Sequence, residues 1–172
     1  MTSALLLACG NPLRGDDGFG GWVASRAQKQ FDSSQLEVMV SRQFTPEMAE
    51  PVSTADTVIF LDCSATSEPG QVSLQPVEAT RRPARIMTHH MSPESLLWMS
   101  QELYGRVPRA AYLITVGGES FKMGEQLTDA VRSAAPAVLR MVEEMVQAAK
   151  VQRWNLPGSE FEFEEEAELA SV

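Results

Sequence analysis

The chain has only two cysteines and two histidines among its 172 residues. Cys9 and Cys63 each close an apolar run, and their number and spacing suggest neither a disulfide framework nor a thiolate metal site. Both read as small core residues at strand ends. Long hydrophobic runs are missing too: no apolar stretch approaches the roughly 20 residues that span a bilayer. The opening MTSALLLAC places leucines before a cysteine but has no basic start, so a buried strand is expected there in place of a secretory signal. Positive charge is scarce. Fourteen Lys and Arg against 23 Asp and Glu give a net charge of -9, which argues against nucleic acid or an anionic membrane as a partner. No Gly-Lys-Ser/Thr occurs. The segment GNPLRGDDGFGG carries five glycines, but it lacks the order G-x-G-x-x-G, and its paired aspartates repel phosphate, so no nucleotide is expected there.

What is present describes an ordinary globular protein, with 44% hydrophobic and 22% charged residues. One domain is expected over residues 1–150. Residues 151–172 read as an acidic, disordered tail, since Ser159 to Val172 holds six glutamates and no lysine or arginine. The alternative role for that tail is weak docking to a basic partner.

Short apolar runs alternate with helical periodicity. Ala4 to Cys9 reads as a strand buried on both faces. From Gly18 to Phe31 an apolar residue recurs every fourth position (Phe19, Val23, Ala27, Phe31), the mark of an amphipathic helix. Leu36 to Val40 is the second strand, and Thr45-Pro46-Glu47 opens a short helix ending near Val52. Thr57 to Leu61 is a strand that delivers Asp62 at its carboxyl end. Val72 to Val77 is a weaker strand, and its Pro76 assigns it to an edge. Glu78 to Thr88 is an arginine- and proline-rich loop. Ser92-Pro93-Glu94 starts a helix that Gly105 ends. Tyr112 to Val116 is a further strand, and a last helix runs from Thr128 to Lys150, kinked at Pro136. This alternation predicts a doubly wound α/β sandwich: a mainly parallel sheet of about five strands with helices on both faces.

In such folds ligands gather beyond the carboxyl ends of the strands. Asp16 and Asp17 follow the first strand, Asp62 the third, and His89 and His90 precede the Ser92 helix. Two carboxylates and an imidazole meeting on one rim make an oxygen, oxygen, nitrogen ligand set with open positions, suited to nickel or zinc. Plainer roles exist for each: an aspartate capping the helix at Gly18, Asp62 stabilising a turn, a histidine hydrogen-bonding at the surface. Nucleophilic catalysis has less support. There is no G-x-S-x-G elbow beside Ser64, Asp62 raises the pKa of the neighbouring Cys63 thiol, and the Asp-Thr/Ser-Gly turns of an aspartic dyad are absent. Metal-directed hydrolysis is the remaining chemistry.

The segments CGNPLRGDDGFG, FLDCS and THHMSPESLL resemble, in order and spacing, the hydrogenase maturation endopeptidases, over roughly residues 4 to 148. The resemblance implies a twisted five-stranded α/β fold. It also implies an endopeptidase that removes a C-terminal extension from the large-subunit precursor of a nickel-iron hydrogenase after nickel insertion. Carried over motif by motif, Asp17, Asp62 and His89 are the metal-contacting and catalytic residues. Asp16 is left as a cap, and His90 occupies the next, variable place. The nickel arrives with the substrate, and no organic cofactor is implied. Where some members have an Asp-Gly-Gly-Thr-like stretch, this chain has SRQFTPEMAE, as in the variant that serves soluble hydrogenases. A cytoplasmic location is expected from the lack of a secretory signal or membrane span, and a monomer is expected. The rival reading is a non-enzymatic nickel-binding chaperone of the same large subunit, although the histidine-rich tract such proteins often carry is missing. A peptidase related to the spore germination protease is a further alternative.

Overall fold

The computed structural model describes residues 4–79, 91–124 and 126–154. The expected acidic tail beyond Trp154 and the two histidines lie outside the described residues. Among the described residues the chain forms five strands and four α-helices. The first strand, β1, is Ala4–Cys9, and all six residues are buried, as its continuous apolar run requires. A 3-10 turn, Gly15–Gly18, leads into α1, Phe19–Gln30. Next come β2, Leu36–Ser41, and a 3-10 turn, Pro46–Met48, that continues into α2, Ala49–Thr54. The third strand, β3, is Thr57–Ser64, and β4 is Val72–Pro76. They are followed by α3, Pro93–Tyr104, then β5, Ala110–Gly117, and α4, Asp129–Trp154.

The sheet order is β2-β1-β3-β5-β4. The pairs β1–β2, β1–β3 and β3–β5 are parallel, and only β4 runs antiparallel, along the outer edge of β5. Pro76 has no N–H to give a second neighbour, so its place on the edge strand is the one expected. From β1 the chain goes to one side to make β2, then crosses to the other side to make β3. The direction of winding therefore reverses between β1 and β3, and a crevice opens at their carboxyl ends.

Alternate residues of the central strands feed two cores. Leu6, Ile59, Leu61 and Ile114 pack with α1 and α4 through Phe19, Val23, Val138 and Val142. Leu5, Leu7, Val58 and Phe60 pack with α2 and α3 through Val52, Leu96 and Leu97. Burying each such leucine or phenylalanine stabilises the fold by about 2 kcal/mol. Helices thus cover both faces of a three-layer α/β sandwich. Among the described residues no helix is long and apolar enough to cross a membrane.

Some boundaries differ from expectation, for physical reasons. The third strand continues beyond Leu61 because β5 keeps pairing with it, Asp62 with Thr115 and Ser64 with Gly117. Asp62 consequently belongs to the strand, not to the turn after it. Ser92 does cap α3, accepting from Ser95 N–H at 3.2 Å, and Gly105 ends that helix in the left-handed region at φ 68°. Thr45, by contrast, makes no capping bond. The last helix is continuous through Pro136 and runs past Lys150 to Trp154.

Candidate functional site

The crevice between β1 and β3 is shaped first by Gly10. Its φ of 136° lies in a region that L side chains rarely adopt, and a Cβ there would stand 1.8 Å from the Asp17 carbonyl oxygen. This close approach folds the β1–α1 loop back over the end of β1. The N–H of Asn11 donates to Asp17 Oδ2 at 2.9 Å, and the Asn11 side-chain oxygen accepts from Leu13 N–H at 3.0 Å. Asp17 is thereby fixed through one oxygen. No described residue hydrogen-bonds its other oxygen, Oδ1.

Asp62 is held in a parallel way. Its Oδ1 accepts from the Cys63 N–H at 2.8 Å and from the Cys9 thiol at 3.2 Å, while Oδ2 has no hydrogen-bond partner among the described residues. Burial pushes the Asp62 carboxyl above its usual range; the Cys9 thiol and the Cys63 amide oppose this, and the nearby charge of Asp17 adds to it. The two carboxylates flank the end of β1: Asp62 accepts from the Cys9 thiol, and Asp17 abuts Gly10, the next residue. Among the described residues each has one hydrogen-bonded oxygen and one without a partner.

Asp16 takes a different part from the helix cap expected of it. Neither the 3-10 turn nor α1 receives a side-chain cap. Asp16 is fully buried and reaches across to the loop between β5 and α4. Its carboxylate accepts from the N–H groups of Glu119 (2.8 Å), Ser120 (3.1 Å) and Thr128 (2.7 Å) and from the Thr128 hydroxyl (2.9 Å). Burial alone would raise its pKa, but these donors together hold it below the ordinary value. Asp16 therefore bolts two loops together beside Asp17. Nothing local in the sequence signals this, since its partners lie more than a hundred positions away.

Both cysteines are buried and unpaired, as expected. Burial, and then the charges of Asp16, Asp62 and Asp17, push the Cys63 thiol up to about 12. Burial and Asp62 raise Cys9 as well. Neither is a thiolate nucleophile at neutral pH. The role of Cys9 as a donor to Asp62 is the feature that sequence reasoning missed; its only sign was a thiol at the carboxyl end of the strand beside the one carrying the acid.

His89 and His90 lie outside the described residues. Met91, two positions after His89, is buried in the α2–α3 core, and its N–H donates to Phe44 O at 3.3 Å. Phe44 in turn meets Phe60 edge-to-face at 5.2 Å. The segment entering α3 is thus tied to the same side of the sheet as Phe60 and Asp62. Among the described residues no three His, Cys, Asp or Glu side chains form a group able to hold a metal ion.

No protein-family model matches the sequence, and no curated protein matches it. Solved structures do. The hydrogenase maturating endopeptidase HybD from E. coli superposes with a TM-score of 0.66 at 20% identity, covering 87% of this chain and 94% of that one. The fold is that of the hydrogenase maturation proteases. The maturation protease HycI from Thermococcus kodakarensis is similar at a TM-score of 0.64 and 19% identity, over 84% of this chain and 92% of that one. A hydrogenase 2 maturation peptidase from a Thaumarchaeota archaeon gives 0.62 at 25% identity, over 84% and 97%. The likeness to these maturation proteases spans almost all of each of those chains.

Proposed function

We propose that this chain is an endopeptidase of hydrogenase maturation. It removes the C-terminal extension of a nickel-iron hydrogenase large-subunit precursor after nickel insertion, and it acts as a cytoplasmic monomer of one domain, residues 1–150. The observation that supports the reading is the pair Asp17 and Asp62 at the end of β1, each held through one oxygen, the other having no partner among the described residues. The fold it shares with maturation proteases supports it, and two buried free thiols agree with a reducing compartment.

In this reading the nickel is part of the substrate. It docks on the open oxygens of Asp17 and Asp62 and on the imidazole of His89, which brings the scissile peptide bond to the crevice. The bound ion polarises the carbonyl or activates a water; alternatively a carboxylate takes the water's proton and the metal only positions the substrate. A raised pKa suits Asp62 to accept that proton. In either case water adds to the carbonyl carbon, the C–N bond breaks, and the leaving amine takes a proton.

The test compares nickel-loaded and nickel-free precursor incubated with the purified protein, read by intact mass of the large subunit. Loss of the extension from the loaded form alone is expected. Equal processing of both forms removes nickel recognition, and an unchanged mass in both removes the endopeptidase.

A further inference from the structure

A groove of about 400 Å³ opens on the α1 side of the crevice. Its walls include Gly10, Gly21, Trp22, Val40, Leu127 and Arg132. It is continuous with the candidate site, because Gly10 is the residue whose backbone abuts Asp17; a Cβ on Gly10 would lie 3.5 Å from Asp17 Oδ1. Gly21 keeps it open. A side chain there would begin 3.2 Å from the Val40 methyl and narrow the channel.

The borders of the groove are apolar and in water. Val40 is 55% exposed at the end of β2, Leu13 is 55% exposed beside the lining residue Pro12, and Met123 is 67% exposed. Leu13 and Met123 belong to loops joined by the Gly124 N–H to Leu13 O hydrogen bond, at 2.9 Å. Exposed apolar side chains on a groove wall and in the loops beside it mark a surface that another molecule covers. At the α4 side stands Arg132. One of its guanidinium nitrogens donates to Leu127 O at 3.1 Å, and among the described residues no carboxylate pairs with it. In a chain of net charge -9, an arginine beside an apolar groove, with no carboxylate partner among the described residues, selects an apolar segment that carries an acid.

We propose that this groove is the docking channel for the substrate polypeptide next to the scissile bond: an extended apolar segment whose carboxylate pairs with Arg132. The proposal rests on the endopeptidase reading for the identity of the polypeptide. The continuity with Asp17 favours this occupant over a second copy of the chain, whose net charge of -9 sets two copies against each other.

The experiment uses the full-length protein with a photo-reactive benzoylphenylalanine at position 40 and the nickel-loaded precursor, together with the separate variants Val40→Asp and Arg132→Glu. Both positions are exposed, so neither change disturbs the core. The expected crosslink joins position 40 to precursor residues adjoining the cleaved bond, and each variant raises KM about tenfold with a smaller change in kcat. Processing by the wild type with no such crosslink and an unchanged KM in both variants overturns the groove and leaves the endopeptidase standing. A crosslink mainly between two copies of this chain also overturns it. A crosslink to the C-terminal region of the precursor without cleavage by the wild type supports the groove as a docking site for that polypeptide and removes the protease reading.

Discussion

The thiol of Cys9 donates to Oδ1 of Asp62 across 3.2 Å, joining the end of β1 to the end of β3. With the Cys63 N–H it occupies that oxygen and so fixes which oxygen faces the rim. Cys9 is in these terms a positioning residue. Cys9→Ala is expected to lower kcat/KM for precursor processing by about 10- to 100-fold, the usual cost of losing a group that orients a ligand. Cys9→Ser keeps a donor and restores most of the activity. Equal activity in wild type and Cys9→Ala refutes the positioning role.

Adjacent acids are expected to behave oppositely. Under the proposed function Asp17 is a nickel ligand, so Asp17→Asn is expected to abolish processing, with a melting temperature close to wild type. Asp16→Asn sets an amide among four donors in a fully buried place and destabilises the protein by about 2–4 kcal/mol. Chemical denaturation of both variants separates the two cases.

The pH dependence of stability carries the signature of Asp16. Its folded pKa lies below its ordinary 3.8, so in acid the unfolded chain binds this proton first. Its contribution is complete above that value and is lost as pH falls through the folded pKa. Thermal melts from pH 6 down to pH 2 should show this acid loss in wild type. In Asp16→Asn the acid limb should be shallower; identical limbs exclude the carboxylate as its source.

Native thiols should be inert. Cys9 and Cys63 are buried, and both thiols are raised above their ordinary values. Iodoacetamide at pH 8 is expected to leave both unmodified by mass spectrometry, and to label both once the protein is unfolded in guanidinium. Rapid labelling of either in the folded protein contradicts this burial.

The two histidines are expected to differ. His89→Ala abolishes processing of the nickel-loaded precursor, whereas His90→Ala retains it, both with unchanged melting temperature. A reversal of these two phenotypes transfers the ligand role to His90.

The order of strands and helices was legible in the residues because it rests on local physics. An unbroken apolar run such as Ala4–Cys9 can satisfy itself only inside a sheet covered on both faces. The fourfold spacing of Phe19, Val23 and Ala27 makes one helical face, and Ser92 with Pro93 starts a helix by satisfying its first N–H groups. Candidate acids were legible for the same reason: apolar runs that stop at Cys9 and at Leu61 lead directly to them, although β3 itself continues to Ser64. The tertiary structure alone decided how those ends are used. That Asp16 is buried while Asp17 is open, that Cys9 orients Asp62 from 53 positions away, and that Val40 borders a groove with Arg132 all depend on strand order and register. Those relationships are set by which apolar faces pack together across the whole molecule, and no short stretch of chain carries that information.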